Sequence, residues 1–192
     1  MLLLIVGLIL FLGAHSLRIF AEPWRNRQRE RLGAMRWKGV IAVLSLAGFA
    51  LLVWGFGMAR TQPVVLWSPP QWTRHLAALL MLPSFILLVA AYLPGTRMKA
   101  AFGHPMILAT KTWAVAHLLA NGTLNDLVLF GSFLAWSVLA YISARRRDRA
   151  TGTTYPARGA IRDVGAVLIG AAAWAWFAHF GHYWLIGVRP LG

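Results

Sequence analysis

The 192-residue chain contains no cysteine and only five carboxylates, and these shortages exclude several kinds of site. Disulfides, iron–sulfur clusters and thiolate-ligated metals all require cysteine. The carboxylates lie in or beside the segments that connect apolar stretches: Glu22, Glu30, Asp126, Asp148 and Asp163. A carboxylate-rich di-iron site inside a helical bundle is therefore disfavoured. The sequence also lacks HExxH, GxSxG and GxxxxGK, so the usual hydrolase and phosphotransferase chemistries are not expected.

Charged residues are scarce too, at 12% of the chain against roughly 25% in a soluble domain. Hydrophobic residues make up 59% of the sequence, and the mean hydropathy is +0.62. These values predict a single all-α domain over residues 1–192, a polytopic helical bundle in a membrane. The net charge of +14 would suggest nucleic-acid binding in a soluble protein. Here the basic residues lie in short loops between apolar spans, so no nucleic-acid partner is expected.

Six apolar stretches approach the ~20 residues that a helix needs to cross the hydrocarbon core. The predicted spans are residues 2–20, 39–58, 72–93, 101–120, 124–144 and 163–184. The fourth span is interrupted by His104, Pro105, Lys111 and His117. The first span has no basic residues before its apolar run, which favours a retained helix over a cleaved signal peptide.

Arginine and lysine are distributed unequally between the two sets of connecting segments. The segments after the first, third and fifth spans hold fourteen basic residues, whereas the opposite segments and tail hold three: Arg60, Arg74 and Arg189. The positive-inside rule therefore predicts a multi-pass protein of the bacterial inner membrane, with both termini in the periplasm. The polar segment 145–158 is expected to be a flexible cytoplasmic loop that attracts anionic lipid headgroups.

Histidines are the main chemical groups in or near the spans: His15, His75, His104, His117, His179 and His182. An imidazole within lipid is costly unless it has a partner, and histidines on neighbouring helices commonly hold a haem iron. Histidine-ligated haem is therefore the leading hypothesis. The simpler alternatives are that His75 and His182 are wet interfacial residues and that His104 marks a helix start.

Helix direction sorts these histidines by depth. The thirteen residues from His104 to His117 span roughly 20 Å at 1.5 Å per residue. His15 and His104 then form a cytoplasmic pair, while an outer group combines His117 with one of three others: His75, His179 or His182. Two axial ligands approach one iron from opposite faces at about 2 Å each, so His15 does not easily share an iron with His117. One haem site or two remain open.

Two basic residues, Arg18 and Lys111, fall within predicted spans. Arg18 can extend its side chain to the cytoplasmic surface. Lys111 lies deeper, and no carboxylate inside the spans can neutralise it. A haem propionate or another anionic ligand would suit it, the alternative being a deprotonated lysine. Trp113 is a core aromatic that would also line a cofactor pocket.

Several motifs resemble those of one known family. HPMIL at residues 104–108 and WAVAHLLANG at residues 113–122 are similar to the signature of the NnrU family. AHSLR at 14–18, FGS at 130–132 and HYWLIGV at 182–188 fit the same family, although relatives usually have proline in place of Tyr183. The resemblance covers nearly the whole chain. It extends to the 15-cis-ζ-carotene isomerase of plants and cyanobacteria, an integral membrane haem b protein.

The resemblance implies a haem b protein whose histidine-ligated iron is a redox or Lewis-acid centre. The expected ligand is a hydrophobic polyene or a small nitrogen oxide. His15 and His117 match the isomerase's ligands best, in conflict with the depth argument. The candidate metal ligands are thus His15, His104, His117 and His182, and the candidate cofactor contacts are Arg18, Lys111, Trp113 and Asn121.

Whether the chain is an enzyme is left open by the resemblance. The isomerase has a cysteine near its second histidine, where this chain has Ala114, so a thiolate switch is excluded. The NnrU name reflects an association with nitrite and nitric oxide metabolism, and the alternative is a non-enzymatic accessory membrane protein that supports it. A small transporter would need a polar path that the spans mostly lack. Small residues would permit a homodimer: Gly165, Gly170, Ala171 and Ala172.

Overall fold

The computed structural model describes residues 1–191, which fold into α-helices joined by short connections. The helices are α1 (Leu2–Phe20), α2 (Glu22–Leu32), α3 (Ala34–Ala59), α4 (Trp72–Tyr92), α5 (Arg97–Phe102), α6 (Pro105–Ala120), α7 (Leu124–Thr151), α8 (Ile161–Trp176) and α9 (His182–Ile186). A five-residue π-helical turn, Phe177–Gly181, joins α8 to α9 without a break. The predicted all-α class is confirmed.

Among the described residues 1–191, five stretches are long and apolar enough to cross a membrane: Leu2–Phe20, Ala34–Ala59, Trp72–Tyr92, Leu124–Thr151 and Ile161–Ile186. The chain is therefore a multi-pass membrane protein. α6 has only 16 residues, roughly 24 Å of helix, yet it packs between α4 and α7 along the bundle. It begins at Pro105 rather than at the predicted residue 101, because Gly103, with φ at 73°, ends α5.

Consecutive long helices run in alternate directions, so the bundle has two faces. We call one the basic face; it carries α2, α5 and the C-terminal end of α7. There, the Arg147 guanidinium donates to the Arg18 carbonyl (3.2 Å), which ties the end of α7 to the end of α1. The Arg158 amide donates to the Gly95 carbonyl (2.8 Å), so the segment after α7 covers the end of α4.

The opposite face carries the loop between α3 and α4 and the turn between α6 and α7. These two connections are joined by backbone hydrogen bonds, from Leu66 to Gly122 and from Leu124 to Val64, both 2.8 Å. The Arg60 guanidinium at the end of α3 also donates to the Ile186 carbonyl of α9 (2.9 Å). The end of α3 and α9 are thereby joined at this face.

Two segments differ from the sequence expectation. The segment after the first span forms a helix, α2, which Pro23 can begin because proline is tolerated at the first turn of a helix. α7 continues seven residues past the predicted end at 144 and stops at Gly152 in the left-handed conformation. The expectation of a flexible loop was therefore wrong for residues 145–151.

The long helices pack in the order α3, α1, α7, α6, α4, α8. The core lies where α1, α3 and α7 meet, around a cluster of buried residues: Leu4, Leu8, Leu52, Leu129 and Phe130. Large apolar side chains cover much of the perimeter, as contact with lipid chains requires. The histidine-bearing ends of α6 and α9 both lie at the opposite face.

Candidate metal centre

In three of the six histidines, one ring nitrogen makes the same kind of hydrogen bond. In each, Nδ1 lies within hydrogen-bond distance of a backbone carbonyl oxygen: His15 with Phe11 (2.7 Å), His117 with Trp113 (2.9 Å) and His182 with Val188 (2.7 Å). A carbonyl only accepts, so Nδ1 carries the proton and the neutral ring keeps its lone pair on Nε2. Metal-bound histidines are usually oriented by this kind of hydrogen bond.

His117 lies in the last turn of α6 against two aromatic rings. Its centroid is 4.5 Å from that of Phe130 and 5.3 Å from that of Trp113. Phe130 is only 4% exposed and itself contacts Phe56 of α3, with centroids 6.3 Å apart. The orientation of the His117 imidazole is thus fixed by packing as well as by its hydrogen bond.

His182 directly follows the π-helical turn. Phe177, the first residue of that turn, packs edge-on to the His182 ring at a centroid distance of 5.8 Å. The Ile186 carbonyl, one turn after His182, accepts a hydrogen bond from Arg60 at the same face that carries the end of α6. π-helical turns occur frequently at functional sites. The structure therefore brings two imidazoles with available Nε2 atoms to the same face of the bundle.

His15 lies at a different depth. It packs edge-on to Trp136 of α7 (6.1 Å), whereas His117 packs on Phe130 of the same helix. Six residues separate these positions on α7, roughly 9 Å along the helix axis. Phe133 occupies the position between them. His15 and His117 thus contact different turns of α7, and which histidines share an iron stays a prediction.

His104 takes part in a polar cluster at the basic face. Its Nε2 is 2.9 Å from Asp148 Oδ2, so the atom that would bind a metal is already engaged. Asp148 is 8% exposed and also accepts from the Tyr155 hydroxyl (3.0 Å) and Arg145 (3.4 Å). Burial, followed by the Asp148 hydrogen bond and charge, raises the pKa of Tyr155. This cluster joins the beginning of α6 to the end of α7.

The two cations of the predicted spans lie away from His117. Arg18 is largely exposed and is 3.7 Å from the Glu22 carboxylate. The Lys111 ammonium is 5.7 Å from the centroid of Tyr141, a cation–π distance, on the side of the bundle nearer the basic face. Neither of these predicted cofactor contacts is placed beside the His117 and His182 imidazoles.

Asn121 has a positioning role at the end of α6. Its side-chain amide donates to the His117 carbonyl (2.8 Å), which caps the helix. Gly122 follows, and its carbonyl accepts from the Leu66 and Trp67 amides. A Cβ at Gly122 would overlap the Trp67 carbonyl, so only glycine fits. The Asn-Gly pair therefore fixes the turn that carries His117.

Arg60 is a residue of this region that the sequence did not single out. Its guanidinium lies 6.0 Å from the centroid of Phe56, which adjoins Phe130, and it also hydrogen-bonds α9 through Ile186. Arg60 therefore links the end of α3 to α9, the helix that begins with His182. The sequence offered no signal for this, because 126 residues separate Arg60 from Ile186.

A sequence model described as NnrU protein matches residues 3–190, nearly the whole chain. The chain belongs to the NnrU family. No curated protein and no solved structure matches it. The HPMIL motif begins with His104, the histidine bonded to Asp148. The WAVAHLLANG motif contains His117 and the Asn-Gly pair that caps the end of its helix.

Proposed function

We propose that this NnrU-family membrane protein binds haem b at the opposite face, with the Nε2 atoms of His117 and His182 as ligands of the iron. The observation that carries the proposal is the shared anchoring of Nδ1 to a backbone carbonyl. It fixes the tautomer of both rings and leaves the metal-binding nitrogen of each available. Their common face supports the pairing, since backbone carbonyls of α9 and of the turn after α6 are both bonded to the α3–α4 side of the bundle.

The residues of the site fit a prosthetic group of this kind. Among residues 1–191, no cluster of three or more histidine or acidic side chains is placed to hold a metal ion. A pair of histidines suits an iron whose remaining ligands come from a macrocycle. Phe130 and Phe56 provide an apolar aromatic wall, and Arg60 provides a cation that would neutralise a propionate.

Haem would supply a redox-active or Lewis-acidic iron for a hydrophobic polyene or a small nitrogen oxide. The residues of the chain have separate tasks around it. His117 and His182 would hold the metal, and Phe130 would exclude water from the side of the His117 ring that it covers. Asn121 positions the end of α6. Retention of both imidazoles favours electron transfer, whereas release of one would open a site for a ligand.

An absorption spectrum of the detergent-purified protein, oxidised and reduced, tests the proposal. We expect a Soret band and sharp α and β bands on reduction, as low-spin histidine ligation gives. A pyridine haemochrome assay should give about one haem per chain, as one pair of ligands holds one iron. A protein that stays colourless after reconstitution with haem would overturn the proposal.

We also propose that the basic face is cytoplasmic in a bacterial inner membrane. Its support is the excess of arginine and lysine in the segments that the structure gathers at that face. Because the chain has no cysteine, single-cysteine variants give labelling without background. An impermeant maleimide should label Gln62→Cys in intact spheroplasts and Thr154→Cys only after permeabilisation. The reverse pattern would mean the opposite orientation.

A further inference from the structure

A groove opens at the basic face between α1, α2 and α3. Its free volume is about 340 Å³. The wall and floor contain small and aliphatic side chains of α1 and α3: Ala14, Leu17, Ile41 and Ala42. Trp37 also lines it and is only 6% exposed, with its ring edge-on to Trp24 of α2 (6.1 Å). The groove thus has an apolar floor at the level where α1 leaves the apolar part of the bundle.

Cations surround the apolar floor of this groove. Arg18, Arg25 and Lys38 all line it, each from a different helix or helix end. The carboxylate that reaches this group is Glu22, which lies 3.7 Å from Arg18 and 4.0 Å from Arg147. One carboxylate shared by two arginines cannot neutralise the group. The groove therefore has an unbalanced positive charge.

The Arg25 guanidinium lies among other cations at this groove. Burial lowers the pKa of its guanidinium, and the charges of Arg18 and Arg29 lower it further. Glu22 opposes this effect only in part. A bound anion would relieve the repulsion among these guanidinium groups.

We propose that this groove binds an anionic phospholipid, with the lipid phosphate held by Arg25, Lys38 and Arg18. The apolar floor favours a lipid over a soluble phosphate, because the first carbons of an acyl chain can cover Leu17 and Ile41 while the phosphate meets the cations. Its position suits this, since α2 is a polar helix between two membrane-spanning helices. Tryptophan beside it is typical of the membrane–water boundary.

The lipid site is separate from the proposed haem site. His117 and His182 lie at the opposite face, whereas the groove lies at the basic face and includes His15. Failure of one proposal therefore leaves the other standing. A haem carboxylate is the competing occupant, since it too is an anion on an apolar body, and the experiment separates the two.

Native mass spectrometry of the full chain, with phosphatidylglycerol or phosphatidylcholine added to the detergent, tests the proposal. The test variant is Arg25→Gln with Lys38→Gln, and the matched control is Arg27→Gln with Arg36→Gln. Both remove two charges from α2 and α3, but Arg27 and Arg36 do not line the groove. We expect the test variant to bind phosphatidylglycerol about 30-fold more weakly and the control to stay within about twofold of the parent.

A second variant, Ala42→Phe, fills the groove without changing the charge. It should also lose phosphatidylglycerol while keeping its helical circular dichroism spectrum. Equal losses in the test and control variants would overturn the proposal, because the effect would then be general charge. So would equal binding of phosphatidylcholine, or of soluble glycerol phosphate. Loss of haem from the Arg25 and Lys38 variant in the pyridine haemochrome assay would identify the groove as a propionate site instead.

Discussion

His117→Ala and His182→Ala proteins are each expected to purify with at least about tenfold less haem than the parent. Loss of second-shell partners alone costs roughly 10–100-fold in metal affinity, and here the ligand itself is removed. The remaining imidazole would keep its carbonyl hydrogen bond, so the fold around it should persist. Haem per chain, measured by pyridine haemochrome at equal protein concentration, checks this prediction.

Two other histidine variants are matched controls for these losses. His104→Ala removes a ring whose Nε2 is engaged with Asp148, and His75→Ala removes one at the beginning of α4. Both should keep the parent's haem content and reduced α band. The opposite result, haem lost from His15→Ala but kept by His182→Ala, would assign the iron to His15 and contradict the pairing.

Imidazole added during reconstitution distinguishes lost ligation from lost folding. A His117→Gly protein has a space beside Phe130 and Trp113 in which free imidazole can bind. We expect haem binding and the low-spin spectrum to return in part with imidazole. A His117→Gly protein that is folded by circular dichroism, yet recovers nothing, would argue against this residue as a ligand.

Five of the six predicted spans correspond to helices long and apolar enough to cross a membrane, because hydropathy over about 20 residues reports burial in lipid directly; the fourth, residues 101–120, does not. The ends of the helices depend on contacts that hydropathy does not contain. α7 continues through Arg147 and Asp148 because these residues bond to the end of α1 and to the His104 cluster. α6 begins at Pro105 because Gly103 breaks the helix before it. The Arg147–Arg18 bond joins residues 129 positions apart and the His104–Asp148 bond joins residues 44 apart, so a hydropathy window detects neither.

The sequence predicted only part of the candidate metal centre. The rise of a helix predicts different depths for His15 and His117, and in the structure they pack against residues of α7 that are six positions apart. The engagement of His104 by Asp148 was not predictable, since 44 residues separate them. The π-helical turn before His182 also has no hydropathy signature. Its i→i+5 hydrogen bonds rotate the following residues about the helix axis, and amino-acid composition does not reveal this rotation.

Close contact between α1 and α3 depends on glycine and gives the largest expected effect on stability. Three glycines have the backbone of the facing helix where a Cβ would lie: Gly7 against Leu52, Gly48 against Phe11 and Gly55 against Leu4. At Gly48, the added carbon would be 2.6 Å from the Phe11 nitrogen. Helices in membranes use small residues in this way to let their backbones approach.

Gly55→Leu should therefore force α1 away from α3, because the Leu4 backbone cannot rotate aside as a side chain would. Leu4 is fully buried in the core cluster, so the displacement also disturbs the packing of α1 on α7. Overpacking of this kind costs about 3 kcal/mol. For a chain of this size the unfolding midpoint should fall by about 6–12 °C. Thermal unfolding in detergent, followed by circular dichroism, checks the prediction.

Gly57→Leu is the matched control, since it makes the same substitution two residues further along α3, where a Cβ meets nothing within 4 Å. Its midpoint should stay within about 2 °C of the parent, because the added side chain enters lipid or detergent rather than another helix. Gly55→Ala should fall between the two, as a single methyl group already meets the Leu4 backbone. Equal midpoints for Gly55→Leu and Gly57→Leu would mean that α1 does not pack on α3 in this register. The groove at the basic face and the core cluster around Leu4 would then both need a different arrangement of α1, since each depends on the packing of α1 on α3.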